Sequence, residues 1–98
     1  MQIDKLKGYL NICKKANYII IGGENLKYYD KKLFLILYDK SAKKNTLKIL
    51  DNFKDKNINI IEIENLDNLL NIESCKIVGI KNKSLSEIII NIIKNNEN

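Results

Sequence analysis

The sequence predicts an α/β protein, a three-layer α/β/α sandwich around a four-stranded mixed sheet. Three observations predict it. Apolar residues recur at helical spacing in the first and last segments, short apolar runs rich in Ile lie between them, and helix-like and strand-like segments alternate. A helix followed by four strand–helix repeats is typical of helices that cover both faces of one sheet. With 98 residues the chain is one domain, 1–98, and we expect its last residues, 94–98, to fray.

The first two strands are predicted on either side of a short polar segment. A helix within residues 3–17 precedes them, and its apolar face consists of Ile3, Leu6, Tyr9, Leu10 and Cys13. The first strand covers residues 18–21 and ends at Gly22, before a segment of brief helical character. The run 32–39, KLFLILYD, is apolar almost throughout, which is typical of a central strand covered on both faces.

Polar residues at the starts of the remaining helices are candidate N-caps. Ser41 can cap a helix over residues 42–57, and Asn65 can cap a short helix that buries three leucines. SLSE, residues 84–87, is a capping box that opens the last helix. The inward face of that helix is predicted to be Leu85, Ile88, Ile89, Ile92 and Ile93. The third and fourth strands are predicted at 58–64 and 75–80.

The charge of the chain is unevenly distributed. All seventeen basic residues are lysines, and the net charge is +5. Residues 1–56 hold thirteen lysines and six acidic residues, a net of +7, whereas residues 57–98 hold four and six, a net of −2. This distribution favours an anionic partner for the first half, above all nucleic acid. The alternative is a solvated lysine surface that only maintains solubility.

The residue inventory argues against an enzyme. There is no histidine, and Cys13 and Cys75 form no metal-ligand spacing, which excludes zinc sites and Ser-His-Asp chemistry. The segment GGENLKYY lacks the Gly-Lys-Ser/Thr ending of a phosphate-binding loop. Asp39 ends a central strand, where active sites often lie, but a turn or cap residue is the alternative. No cofactor, metal or catalytic residue is therefore predicted.

Nothing in the sequence predicts a membrane protein. The opening residues, MQIDKLKG, lack the apolar core of a signal peptide, and the longest unbroken apolar run, LFLILY, is too short to span a bilayer. We expect both cysteines to be reduced and at least partly buried, as in a cytoplasmic protein.

The glycine pair Gly22–Gly23 is the first candidate binding site. It ends a strand at the mouth of a short helix, where free backbone amides and the positive end of the helix can meet an anion or a base edge. The alternative is a tight turn that needs a positive φ. Beside it, Tyr28 and Tyr29 are interleaved with lysines. Either they stack on unpaired bases, or one covers the core and the other is merely exposed.

Four segments that span nearly the whole chain carry a family resemblance. They are LKGYLNICKKANYIIIGGENL, KLFLILYDKSAKKNTLKIL, INIIEIENLDNLL and KIVGIKNKSLSEIII. In this order they resemble the L-seven-Ae ribosomal-protein family, especially its small bacterial YlxQ-type members. The resemblance implies the same α/β/α fold. It also implies non-enzymatic, ribosome-associated binding of structured RNA, either ribosomal RNA or the kink-turn, a sharply bent internal loop.

The resemblance also implies an RNA-binding surface, in which Gly22 takes the position of the family's turn glycine. The implied contact residues are Gly22, Gly23, Glu24, Asn25, Lys27 and Tyr28, with Ile72, Glu73, Ser74 and Cys75 in a second loop. Lysines expected to meet phosphates in a salt-dependent way are Lys14, Lys15, Lys27, Lys31 and Lys32. A β-branched residue in place of Gly23 is then expected to lower RNA affinity and to leave stability nearly unchanged.

Two functions remain open. The first is RNA binding by a monomer, with ribosomal, transcription or translation proteins as further candidate partners. The second is a protein-interaction module that keeps the scaffold but has lost RNA contact. Three features favour the second: Glu24 precedes Asn25 where kink-turn binders commonly have Asn and then Glu, the following helix is brief, and the loop NIESC is acidic.

Overall fold

The structure, a computed structural model, describes residues 2–95. These residues alternate between five helices and four strands, and they begin and end with a helix. The helices are α1 Ile3–Lys15, α2 Gly23–Lys27, α3 Lys44–Leu50, α4 Leu66–Leu70 and α5 Lys83–Lys94. The strands are β1 Ile19–Ile21, β2 Leu35–Asp39, β3 Asn59–Ile63 and β4 Ile77–Ile80. The predicted succession of a helix and four strand–helix repeats is confirmed.

The four strands form one mixed sheet in the order β1–β4–β2–β3. Strand β2 pairs parallel with β3, while β4 runs antiparallel to both β1 and β2. Strands β1, β2 and β3 therefore all end where β4 begins. We call this the Gly22 end of the sheet, formed by Gly22, Lys40, Glu64 and Lys76, the residues next to the strand termini. The opposite end of the sheet is formed by Tyr18, Phe34, Ile58 and Lys81. We call it the Lys32 end, because Lys32 lies shortly before the start of β2.

Helices cover both faces of the sheet, as the sequence predicts. On one face α1, α4 and α5 enclose a core of residues such as Leu6, Leu37 and Ile89. On the other face α2 and α3 cover a smaller core around Leu26 and Ile36. Strands β2 and β4 lie in the middle of the sheet, and all four residues of β4 are buried. The apolar runs of these two strands are therefore explained by burial on both faces.

The third helix is shorter than the sequence predicts. It begins after Lys43, and Ser41 does not cap it, because the amide and hydroxyl of Ser41 both donate to the carboxylate of Asp39. Beyond Leu50 the amides bond to carbonyls three residues back, as from Phe53 N to Leu50 O at 2.9 Å. These tighter turns end the α-helix and bring Phe53 into the core, where it is 4% exposed.

The last helix has a different cap from the predicted one. Its N-cap is Asn82, whose Oδ1 accepts a hydrogen bond from Leu85 N at 2.9 Å, so the capping box at 84–87 is wrong. Ile88, predicted to face inward, lies at the surface, as does Ile3 of α1. The inward positions of α5 are Ser86, Ile89, Ile92 and Ile93.

The end of α5 limits the predicted fraying. Lys94 is still helical, and the amide of Asn95 donates to Asn91 O at 3.0 Å. The remainder of the predicted tail, residues 96–98, lies outside the described residues. Within residues 2–95, no helix combines the length and the apolarity needed to cross a membrane.

Candidate nucleic-acid interface

The turn at Gly22 joins β1 to α2 through a backbone conformation that only glycine adopts readily. Gly22 has φ 89° and ψ 151°. Its amide donates to Ile77 O at 3.0 Å and its carbonyl accepts from Leu26 N at 3.1 Å. The interpretation of a tight turn with positive φ is therefore confirmed for Gly22. The turn is fixed against the start of β4 and against the first turn of α2.

Gly23 is constrained by packing instead. A Cβ added at this position would overlap Cδ1 of Ile49, which belongs to α3. Glycine thus lets the start of α2 approach α3 closely, and a larger side chain would require the end of the Ile49 side chain to move. The expectation that a β-branched residue here leaves stability nearly unchanged stays a prediction, and it requires the end of the Ile49 side chain to move.

The polar residues after the glycines lie at the surface. Glu24 and Asn25 are both exposed, and the side chain of Asn25 donates from Nδ2 to Ile21 O at 2.7 Å. Within the described chain, the amides of residues 23–25 have no recorded acceptor. The first turn of α2 therefore presents its backbone amide donors to solvent. The side-chain nitrogen of Asn25 is already bonded to the end of β1.

The two tyrosines after α2 have different environments. Tyr28 is 75% exposed, whereas Tyr29 is half-buried and packs against the core beneath α2 and α3. The ammonium group of Lys27 lies 5.6 Å from the centroid of the Tyr28 ring. The arrangement with one tyrosine on the core and one exposed is therefore the observed one. Tyr28 and Lys27 together form an accessible cation–aromatic pair.

The five lysines predicted to meet phosphate do not form one patch. Lys27 alone is next to the Gly22 turn. Lys15, Lys31 and Lys32 lie near the other end of the sheet, about 13 Å away along β2. Lys14 donates from Nζ to Leu70 O at 2.7 Å, which caps the last turn of α4. These lysines were grouped because they are close to Gly22 along the chain. In the fold they lie apart, because the strands run from one end of the sheet to the other.

The predicted second contact loop, residues 72–75, precedes β4 and is thus close to Gly22. Only part of it is accessible. Cys75 is buried and Ile72 packs against the core, so the exposed side chains of this loop are Glu73 and Ser74. An RNA approaching this loop meets a carboxylate and a hydroxyl. RNA contact by the loop of Ile72, Glu73, Ser74 and Cys75 stays a prediction, and the buried side chain of Cys75 leaves only its backbone to take part.

Asp39 organises the rest of the Gly22 end of the sheet. Its Oδ1 accepts from Leu66 N at 2.9 Å, and its Oδ2 accepts from the amide and hydroxyl of Ser41. Lys76 Nζ lies 3.8 Å from Oδ2 and donates to Ser41 Oγ at 2.8 Å. Burial alone would raise the pKa of Asp39, but these hydrogen bonds and the Lys76 charge lower its pKa to about 2. Asp39 is therefore ionised at neutral pH and has a capping role, as the turn-or-cap interpretation predicts.

Two consecutive stretches of the chain differ in charge. Residues 22–56, which include α2 and α3, carry nine lysines and five acidic residues. Residues 57–75, which include β3 and α4, carry four acidic residues and no lysine. On α3 the exposed Lys44 and Lys48 lie one helical turn apart on the same face, and neither has an ion-pair partner among the described residues. The outside of α3 is therefore positive, whereas the stretch that holds β3 and α4 is acidic; α1, on the same face of the sheet as α4, carries four lysines and one acidic residue.

Sequence reasoning did not single out Lys44 and Lys48 as contact residues. Their spacing of four residues on an amphipathic helix was the available signal. Their relation to the Gly22 turn depends on the packing of Gly23 against Ile49, which no local pattern reveals.

The cysteines offer no chemistry at this surface. Both are free and buried, and burial raises the pKa of each thiol. Among residues 2–95 no cluster of three or more potential metal ligands occurs. The expectation that both cysteines are at least partly buried is confirmed.

The fold and its surface define a small α/β/α sandwich with a lysine-rich helical layer. A solved structure of a protein with unknown function from Bacillus halodurans C shares this fold, with a TM-score of 0.81 and 19% sequence identity. The alignment covers 92% of this chain and 97% of that chain. No protein-family model matches the sequence, and no curated protein matches it either. At this identity the likeness shows the fold alone.

Proposed function

We propose that this protein binds structured RNA, without catalysis, through the Gly22 turn and the outer surface of α2 and α3. We call this surface the α2–α3 face and define it by Gly22, Lys27, Tyr28, Lys44 and Lys48. The proposal includes membership of the L-seven-Ae ribosomal-protein family, whose turn glycine and contact helix correspond to Gly22 and α2. It also includes a ribosome-associated role in the cytoplasm.

The observation that carries the proposal is the contact between Gly23 and Ile49. Because α2 and α3 meet there, the exposed pair of Lys27 and Tyr28 shares a layer with Lys44 and Lys48. These three lysines have no carboxylate partner among the described residues. Unpaired lysines beside an exposed tyrosine are the combination that holds RNA phosphates and stacks an unpaired base.

The charge distribution supports a contact over α3 in preference to α4. An RNA seated on the Gly22 turn can extend in either direction. Towards α4 it would meet Glu64, Asp67 and Glu73, whereas towards α3 it would meet Lys44 and Lys48. Coulomb attraction therefore favours the α2–α3 face, and lysines without arginine favour phosphate contact over planar recognition of guanine.

Titration of the protein with two labelled RNAs tests this function. One is a kink-turn RNA and the other an unbent duplex of equal length, each at low and at moderate salt. We expect binding to the kink-turn RNA that is tighter than to the duplex and weakens as salt rises. Equal binding to both would reduce the proposal to non-specific phosphate contact. Absence of binding to either at low salt would contradict it.

A protein-interaction module is the second candidate function. The acidic surface of residues 57–75 favours it, since four carboxylates without a lysine among them suit a basic protein partner. The exposed Glu24 after the turn also favours a protein-interaction module, because a carboxylate there repels phosphate. This candidate gains if both RNAs fail to bind.

A further inference from the structure

A cleft of about 320 Å³ opens at the Lys32 end of the sheet, between the starts of β2, β3 and α5. It lies at the opposite end of the strands from Gly22, about 13 Å away along β2. Three lysines from three separate segments line it, Lys32, Lys56 and Lys83. The α2–α3 face does not include this cleft, and the inference below does not rest on the proposed function.

The charges that line the cleft are not neutralised. None of its three lysines has a carboxylate within ion-pair distance among residues 2–95, where the recorded pairs join Lys40 to Glu64, Lys54 to Asp51 and Lys76 to Asp39. Glu87 is the one acidic residue that lines the cleft, so the lining carries a net charge of +2, from three lysines and one glutamate. A dianion would offset this charge and relieve the repulsion between the lysines.

Aromatic rings hold two of the three ammonium groups near the cleft. Lys32 Nζ lies 5.3 Å from the centroid of Phe34, and Lys56 Nζ lies 5.4 Å from the centroid of Phe53. At these distances the ring face attracts the cation. The positive charges are therefore partly positioned before any ligand arrives, which reduces the ordering cost of binding.

A buried hydroxyl adds an independent sign of a missing ligand. Ser86 of α5 lines the cleft and is 1% exposed, and its Oγ has no hydrogen-bond partner in the described part of the chain. Buried hydroxyl groups are normally paired, so an orphan calls for an acceptor from outside. The side-chain amides of Asn57 and Asn59, which also line the cleft, are further donors.

We propose that this cleft binds a phosphomonoester group. Such a group carries a charge of about −1.5 to −2 at neutral pH and three acceptor oxygens, which match the charge and the donors of the lining. The volume is at the lower end of the range for small-molecule sites. Both a small phosphorylated metabolite and the 5′-phosphate of an RNA strand carry this group, and the experiment separates the two sources.

Titrations of the ¹⁵N-labelled protein, followed by amide chemical shifts, test the site. The probes are inorganic phosphate, a 5′-mononucleotide, and one short RNA with either a 5′-phosphate or a 5′-hydroxyl, all at constant ionic strength. We expect saturable shifts centred on residues 56–59 and 83–87. Stronger binding of the mononucleotide than of either form of the RNA indicates that the ligand is a small phosphorylated metabolite. Stronger binding of the 5′-phosphorylated RNA than of its hydroxyl form, and than of the mononucleotide, indicates an RNA end.

Charge-matched variants make the test specific. The triple variant Lys32→Gln/Lys56→Gln/Lys83→Gln should bind phosphate at least tenfold more weakly. The control Lys5→Gln/Lys7→Gln/Lys94→Gln, which removes the same charge elsewhere, should stay within about twofold of the wild type. Shifts that grow linearly without saturation, or equal losses in both triple variants, would overturn the site.

Two single variants separate ligand binding from folding. Ser86→Ala should weaken phosphate binding severalfold without lowering the melting temperature, because the free protein loses a hydroxyl that has no partner. Glu87→Gln should strengthen binding by removing a repelling carboxylate. Unchanged affinity in both variants would contradict the assignment, whatever the behaviour of the triple variant.

Discussion

The carboxylate of Asp39 accepts a hydrogen bond from the amide of Leu66 at 2.9 Å, across 27 residues of sequence. Asp39 ends β2 and Leu66 begins α4, so one side chain of the central strand caps a helix of the neighbouring connection. The formal N-cap residue of α4, Asn65, has a left-handed backbone and makes no side-chain cap. Asp39 therefore provides the N-terminal cap of α4 that the residues next to this helix do not provide.

Acid should remove this contribution of Asp39 to stability. Its pKa in the folded protein, about 2, lies below the ordinary value of 3.8, so the stabilisation is present above pH 3.8 and is lost as the pH falls towards 2. The difference corresponds to about 2 kcal/mol. Urea unfolding of the wild type and of Asp39→Asn should show a gap of that size at neutral pH that closes in acid. With Asp55→Asn, an exposed control, we expect no comparable gap; a gap independent of pH would contradict the account.

Replacement of Gly22 by alanine should destabilise the protein through its backbone. No atom lies within 4 Å of a Cβ at this position, so the cost comes from φ 89° and not from overlap. We expect a loss of about 2 kcal/mol in the free energy of unfolding. Gly8→Ala is the matched control, since Gly8 is helical and has open space around it, and it should stabilise slightly. Equal melting temperatures for Gly22→Ala and the wild type would show that the turn tolerates a side chain.

Lys14 should matter for stability and its neighbour Lys15 should not. The half-buried Lys14 donates to Leu70 O, a carbonyl at the end of α4 that lacks a helical partner. Lys14→Gln should therefore cost about 1 kcal/mol in chemical denaturation, while Lys15→Gln should change the midpoint little. Identical midpoints for the two variants would mean that the Lys14 contact contributes nothing in solution.

The order of elements could be predicted from the sequence, but the order of strands could not. Apolar periodicity identifies segments because each helix or strand buries one face or both. It does not determine which strands are neighbours. Strand β4 lies between β1 and β2 and runs antiparallel to them, so the last strand occupies the middle of the sheet. That arrangement depends on contacts between distant segments.

The N-caps of the helices could also not be predicted reliably from the local sequence. Ser41 and the SLSE box have the right residue types for N-caps. In the structure Ser41 donates to Asp39, and Asn82 takes the cap of α5 instead. Tertiary hydrogen bonds decide between neighbouring polar residues whose local preferences are nearly equal.

The candidate site was predictable only where the chain is locally constrained. Gly22 follows an apolar strand, and its positive φ could be expected from that position. The relation of Lys44 and Lys48 to the turn could not be expected, because it depends on a contact between Gly23 and Ile49. Lys31 and Lys32, close to the turn in sequence, are carried to the other end of the sheet because β2 begins there.

The salt dependence of RNA binding tests the central proposal, that the α2–α3 face holds RNA phosphates, most directly. Fluorescence anisotropy of a labelled kink-turn RNA would be measured between about 50 and 200 mM salt for three proteins. These are the wild type, Lys44→Gln/Lys48→Gln on α3, and Lys5→Gln/Lys94→Gln on the opposite helical layer. We predict that the α3 variant lowers the slope of log K against log salt by about 1.5, while the control stays close to the wild type. Equal slopes in the two variants would contradict the proposal.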